Sequence, residues 1–191
     1  MKIVQLTHNN PWLVMSGVWI QAVTISIMGS SLGIMLPSIT DDLDISPVQA
    51  GILGSAFFLG SASTSLPASV WMSKYSPKTV TTIALLLAAL FMMLQGWAPT
   101  FMFLLLGRFL FQITMVTRMV AEAIIIQQWF SAHKIALVVS ITVGIFSCGQ
   151  LIGIATMTFL MDLLGGWRNV YYVFGVLMVI TSMYWVFVGR D

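Results

Sequence analysis

Charge is what this sequence has least of. Asp, Glu, Lys and Arg together make up 7% of its 191 residues, against roughly a quarter in soluble globular domains. So few charges cannot cover the surface of a water-soluble fold of this length, and hydrophobic residues fill 59% of the chain. The bilayer is therefore the solvent expected for most of it. The net charge of +2, with no cluster of Lys or Arg, excludes a phosphate-tracking nucleic-acid surface. Cysteine is almost missing as well. A lone Cys148 excludes an intramolecular disulfide and any site built on paired cysteines; in an apolar segment it reads as a small buried hydrophobe. The only histidines, His8 and His133, fall in expected loops far apart in sequence. No GxSxG run and no intramembrane pair of aspartates accompanies them. Neither a nucleophile with its base nor a metal-ligand set is on offer. The chain is expected to be no enzyme, with no catalytic or metal-binding residue and no cofactor.

What is abundant is long apolar runs. A spanning helix needs about 20 mostly apolar residues, and six stretches qualify: 12–36, 48–72, 80–96, 101–128, 135–160 and 170–188. They predict an all-α membrane protein, one domain over residues 1–191. The first run is too long for the apolar core of a signal peptide and contains no small-residue cleavage site, so it is read as a retained transmembrane helix. Turn chemistry separates the runs. Pro37-Ser38-Ile39-Thr40 leads into Asp41, Asp42 and Asp44. Ser46-Pro47 and Ser76-Pro77 each place an N-cap serine before a first-turn proline. Gly96 to Thr100, Ser131 to Lys134 and Gly165 to Asn169 provide the remaining breaks.

Loop charge orients the chain. Alternate loops hold Lys2, Lys74, Lys78, Lys134 and Arg190 on one side; the other side holds Arg168 with Asp41, Asp42, Asp44 and Asp162. The positive-inside rule places both termini in the cytoplasm, in an inner or plasma membrane. Small residues crowd the second helix (Gly51, Gly54, Ser55, Gly60, Ser61) and recur in the fifth at Gly144, Gly149 and Gly153. They suit close helix packing, or contacts between helices that must slide.

The fourth run carries Arg108, Arg118 and Glu122. An ionisable residue at bilayer depth costs at least about 2.5 kcal/mol, and such residues face a bundle interior or a wet cavity. At about 100° per residue the three lie within one sector of the helix, with Gln112, Met115 and Met119 on or near that face. Arg118 and Glu122, spaced i, i+4, can neutralise each other. Arg108, roughly 10 Å below the outer end at 1.5 Å per residue, has no such local partner. Its counter-charge is a substrate anion, a backbone carbonyl or a residue outside the chain. Gln21 and Thr24 on the first helix, with Met28 and Ser31, form a milder polar stripe, as do Ser140, Ser147 and Gln150 on the fifth.

At this point the chain resembles the N-terminal six-helix half of a major facilitator superfamily (MFS) transporter. Gly107-Arg108-Phe109-Leu110, running to Gln128-Trp129-Phe130, is similar to the family's fourth helix and its cytoplasmic end. Leu36-Pro37-Ser38-Ile39, with Ser46-Pro47-Val48-Gln49-Ala50-Gly51, looks like its first external loop, and Gly165-Gly166-Trp167-Arg168-Asn169 like the start of its sixth helix. The loop between helices two and three departs from the pattern: Ser73 and Ser76 stand where the family has Asp and Gly, and Lys74 and Lys78 keep only the basic character. In the fifth helix Gln150 stands where the antiporter motif has proline. The resemblance implies one MFS-type bundle forming half of a secondary active transporter. It implies a small solute moved by alternating access, through a cavity enclosed only with a second six-helix half: a separate chain, a missing C-terminal half or a homodimer. The buried Arg108 tilts the solute toward an anion, with proton coupling or a structural role as the other readings of that arginine. Arg108, Gln112, Gln21 and Thr24 are the expected translocation residues. Lys74, Lys78, Arg118 and Glu122 are the expected gate or structural charges. The alternative is a membrane subunit that transports nothing by itself and acts by assembling with another membrane protein.

Overall fold

Prolines and their serine or asparagine caps set the helix starts. Asn10 accepts from the Trp12 backbone N–H at 3.0 Å, with Pro11 filling the first helical position where no N–H is needed. Ser46 and Gln49 form a reciprocal capping box: the Ser46 N–H donates to Gln49 Oε1 (2.8 Å) and the Gln49 N–H to Ser46 Oγ (3.3 Å). Ser76 caps the helix that begins at Pro77. The computed structural model describes residues 10–72 and 74–189 and contains six helices among them: α1 (Pro11–Leu43), α2 (Pro47–Met72), α3 (Pro77–Trp97), α4 (Phe101–Trp129), α5 (Ala132–Leu164) and α6 (Trp167–Val188). Lys2, His8, Ser73 and Arg190, named above as loop residues, lie outside the described residues.

The ends differ from the expectation most at α1. The Pro37–Thr40 segment, read as a break, lies inside the helix, which ends only at Asp44 in the left-handed conformation (φ 48°, ψ 49°). Proline removes one donor, the N–H that would bond the Gly33 carbonyl, and one lost bond does not end a helix whose next turn packs. Ile39 is fully buried there, and the Thr40 hydroxyl donates to the Leu36 carbonyl at 2.8 Å. At α5, Ala132, His133 and Lys134 form the first turn and not a loop.

Among the described residues, α1, α3, α4, α5 and α6 are long and apolar enough to cross a membrane. At 26 residues α2 has the length but is diluted by glycine, serine and threonine. Its hydroxyls from Ser55 to Ser65 are turned onto its own backbone, as in Ser61 to Phe57 O (3.0 Å) and Thr64 to Gly60 O (2.8 Å), which satisfies them without water. Leucine, phenylalanine and isoleucine crowd the outer surface; Phe58, Leu151 and Phe187 are each more than two-thirds exposed. In water such a surface would aggregate. In lipid it is the solvated side, and the protein is an integral, multi-pass membrane protein.

The helices pack in the spatial order α5–α1–α6–α3–α4–α2, an arc whose flanks touch only sparsely across its inside. Laying α1–α3 onto α4–α6 maps the α1–α5 pair onto α4–α2 and the α1–α6 pair onto α4–α3, so the bundle is two swapped three-helix units. Glycine decides the tightest seam. A Cβ at Gly153 would come within 2.6 Å of the Ile27 carbonyl oxygen, and one at Gly149 would meet the Ser26 hydroxyl. Across the same seam Trp19 Nε1 donates to Thr142 Oγ1 at 3.0 Å and Ser30 Oγ to the Gln150 carbonyl at 3.3 Å. Gly144 meets nothing, and neither do Gly51 and Gly54 on α2. Cys148, read as buried, is exposed, because α5 turns its glycine face to α1 and Cys148 lies beside that face.

Both ends of the bundle are pinned. At one end Trp185, fully buried, packs on Gly17 and donates from Nε1 to the Lys78 carbonyl at 3.3 Å, joining α6 to α1 and α3. At the other, Arg168 bonds Asp42 on α1 and the Gly96 and Ala98 carbonyls at the end of α3 (3.3 and 2.7 Å). It also lies over the Trp167 ring, 4.5 Å from the centroid.

Candidate functional site

The inside of the arc is a cavity of about 420 Å³ to which all six helices contribute. α4 supplies the largest share because Arg108, Gln112, Met115, Arg118 and Glu122 recur every three to four positions and so share one face. Arg108, Gln112, Arg118 and Glu122 all line the cavity. Between them stand Phe111, Met115 and Met119, with Met28 from α1, Phe57 from α2 and Phe146 from α5 opposite. The cavity is thus a largely apolar chamber with charge at separated levels along α4.

The level nearer the Lys78 end is neutralised internally. Arg118 pairs with Glu122 at 2.7 Å and reaches Gln21 Oε1 on α1 at 3.5 Å. Arg118 is 4% exposed, so water does little of the screening. Gln21 stands behind Arg118 and orients it; it does not line the cavity. Thr24 is outside the lining too, its hydroxyl donating to its own helix at Ile20 O (3.1 Å). Gln112 lines the wall with its amide held by Ser61 Oγ on α2 at 2.8 Å. Lys74 is exposed in the turn before α3 and Lys78 sits in the first turn of that helix, both outside the lining.

The level nearer the Arg168 end is different. Arg108 is 9% exposed and forms no ion pair with any described residue. Its polar company includes Tyr171 on α6, whose hydroxyl lies close enough to the guanidinium to interact with it. Gln95 on α3 lines the same cavity. Its Nε2 donates to the Phe91 carbonyl at 3.2 Å, which leaves Oε1 as an open acceptor. Arg108 Nε, Tyr171 Oη and Gln95 Oε1 are all buried without a hydrogen-bond partner among the described residues. Two glycines bring these three helices together: a Cβ on Gly107 would lie 2.8 Å from Gln95 Cγ, and one on Gly96 would lie 3.2 Å from Tyr171 Cβ.

Gln95 and Tyr171 were not singled out from the sequence. An amide near the end of an apolar helix is a faint signal for Gln95. Tyr171 sits two residues after Asn169 in a stretch that reads as a helix start, and nothing local marks it as cavity-lining.

The family model of the Major Facilitator Superfamily matches residues 18–191. Two solved structures of a bacterial homolog to the human lysosomal transporter Spinster share the fold. The inward-facing, unoccupied one has a TM-score of 0.75 at 18% identity over 94% of this chain. The inward-facing, occupied one has a TM-score of 0.70 at 17% identity over 98%. The chain spans less than half of those transporters, 43% and 44% of their lengths. No curated protein sequence matches it.

Proposed function

The chain belongs to the major facilitator superfamily, and from that premise we propose that it forms one six-helix half of a secondary active transporter for a small anionic solute. The observation that carries this reading is Arg108: a guanidinium sunk in an apolar wall, facing a cavity, with no carboxylate beside it among the described residues. Burying such a charge is expensive unless something compensates it. A solute anion in the cavity supplies that compensation and is released when the cavity opens to the other side. Gln112 adds a polar contact on the same wall, and Gln21 acts indirectly, by holding Arg118.

A second six-helix half closes the cavity in this reading. The arc is sparsely joined across its inside, and the fold neighbours are more than twice as long. Rocking of the two halves exposes the site alternately. Both termini are cytoplasmic in an inner or plasma membrane, supported by Lys74, Lys78 and Lys134 at one end and Asp41, Asp42, Asp44 and Asp162 at the other. The Arg118–Glu122 pair, Lys74 in the α2–α3 turn and Lys78 in the first turn of α3 then belong to the cytoplasmic gate.

The test is uptake of labelled organic anions into proteoliposomes. Arg108→Ala is expected to abolish uptake while the protein still inserts and keeps its helical content. Wild-type uptake by that variant refutes the role of Arg108.

A further inference from the structure

The empty cavity carries a charge that nothing around it cancels. Arg108 lines the chamber at 9% exposure and pairs with no carboxylate among the described residues. One described carboxylate lines the cavity, that of Glu122. It is bonded to Arg118 at 2.7 Å and stands more than three helical turns from Arg108 along α4. Asp41, Asp42, Asp44 and Asp162 all lie outside the lining. The cavity therefore holds one neutral ion pair and one spare positive charge. Tyr171 offers Arg108 a hydroxyl, which is a dipole and not a counter-charge.

Alternating access closes such a cavity off from water midway between its two open states. Closing it empty seals the Arg108 charge inside an apolar lining that includes Met92, Phe111 and Met115, with nothing opposite it. That is the situation in which a buried charge costs most. Closing it with an anion on Arg108 seals a neutral pair. We infer that the protein is an obligatory anion exchanger: it reorients when an anion occupies Arg108 and stalls when the cavity is empty, so one anion enters only as another leaves. This rests on the reading of Arg108 as the anion-binding residue and adds the mode of transport to it. The same helix holds the contrasting case. Arg118 and Glu122, spaced i, i+4, form a pair that lets their level close without a ligand. Arg108 has Gln112 at that spacing, on the cavity wall, with its amide held by Ser61 Oγ at 2.8 Å. An amide at the position where the other level has a carboxylate leaves the charge of Arg108 to the solute.

The experiment compares exchange with net transport in proteoliposomes of the purified full chain, using labelled benzenesulfonate, methanesulfonate and inorganic phosphate in turn. The sulfonates keep their charge at every working pH, so they do not cross the bilayer as neutral acids. Vesicles loaded with the unlabelled anion should take up label at least about tenfold faster than vesicles loaded with sucrose, the factor expected when even part of the cost of sealing an unpaired charge falls on the empty carrier. Arg108→Gln should remove uptake under both conditions. Gln112→Glu gives Arg108 the partner that Arg118 already has. It should raise the anion concentration needed for half-maximal exchange and bring the two rates together. Gln112→Met removes the amide without adding charge and should keep the need for a counter-anion. The wild-type comparison needs no variant, so a misfolded Gln112→Glu protein does not rescue the idea. Equal, Arg108-dependent uptake into loaded and sucrose-filled vesicles overturns exchange and leaves the anion reading standing. So does an inserted, fully helical Gln112→Glu protein that still needs a counter-anion. Uptake that survives Arg108→Gln, or no uptake of any of the three anions under either condition, overturns both.

Discussion

Arg168 on α6 holds Asp42 on α1 through two nitrogens, Nε at 3.0 Å and Nη2 at 2.8 Å from the same carboxylate oxygen. The pair is partly exposed, 35% and 46% for the two side chains. Its electrostatic value is therefore small, about 0–1 kcal/mol as for other solvent-screened pairs. The larger contribution comes from the third nitrogen, which satisfies the Gly96 and Ala98 carbonyls, Ala98 itself being fully buried.

Asp42→Asn should lower stability by less than about 1 kcal/mol. Arg168→Ala should cost about 1–3 kcal/mol, since it leaves two turn carbonyls without a donor. Arg168→Lys keeps the charge but not the planar fork and should fall between them. Thermal unfolding of the purified variants in detergent ranks the three. Equal loss for Asp42→Asn and Arg168→Ala would mean that the ion pair, and not the carbonyl bonds, carries the clamp.

The Arg118–Glu122 pair is more deeply buried, so removing one partner should hurt more than removing both. Glu122→Gln leaves Arg118 uncompensated and should cost about 3–5 kcal/mol if no water reaches it. The double variant Arg118→Met, Glu122→Leu should recover much of that. A double-mutant cycle on unfolding midpoints measures the coupling, and additive losses would show that the two charges do not stabilise each other.

Two glycines of α5 should respond in opposite ways. Gly153→Ala pushes a Cβ to 2.6 Å from the Ile27 carbonyl oxygen and must part α5 from α1. Gly144→Ala meets nothing within 4 Å and replaces a poor helix former with a good one, a gain of up to about 1 kcal/mol. Unfolding midpoints decide it, and a neutral Gly153→Ala would argue against a tight α1–α5 seam.

The proposed orientation can be read chemically. After Cys148→Ser, the variant Lys134→Cys should react with a membrane-impermeant maleimide only in permeabilised cells, and Asp44→Cys in intact cells. Both positions are exposed. The reverse pattern would invert the topology and move the Lys74 and Lys78 turn to the outer face.

Much of the fold was legible locally. Helix number follows from apolar runs interrupted by turn residues, because in a bilayer a run of that length has one low-energy conformation. Ser46-Pro47 and Ser76-Pro77 mark helix starts because capping involves only residues a turn apart. Arg108 stood out because a charge in an apolar run is costly wherever the helix packs. The same local logic failed at Pro37, where one missing hydrogen bond was outweighed by the packing of the next turn, with Ile39 buried.

The sequence by itself determined a polytopic helical membrane protein, and it put Arg108, Gln112, Arg118 and Glu122 on one helix face, since the period of an α-helix relates those positions without reference to anything else. Only the tertiary structure decided what faces them. Tyr171 lies 63 positions and Gln95 lies 13 positions from Arg108 in the chain, and each comes to the cavity wall through packing on a glycine of another helix. It likewise decided that Gln21 serves Arg118 and that Thr24 turns back on its own helix. These are distances between helices, set by which side chains can interdigitate, and no periodicity along one strand of sequence encodes them.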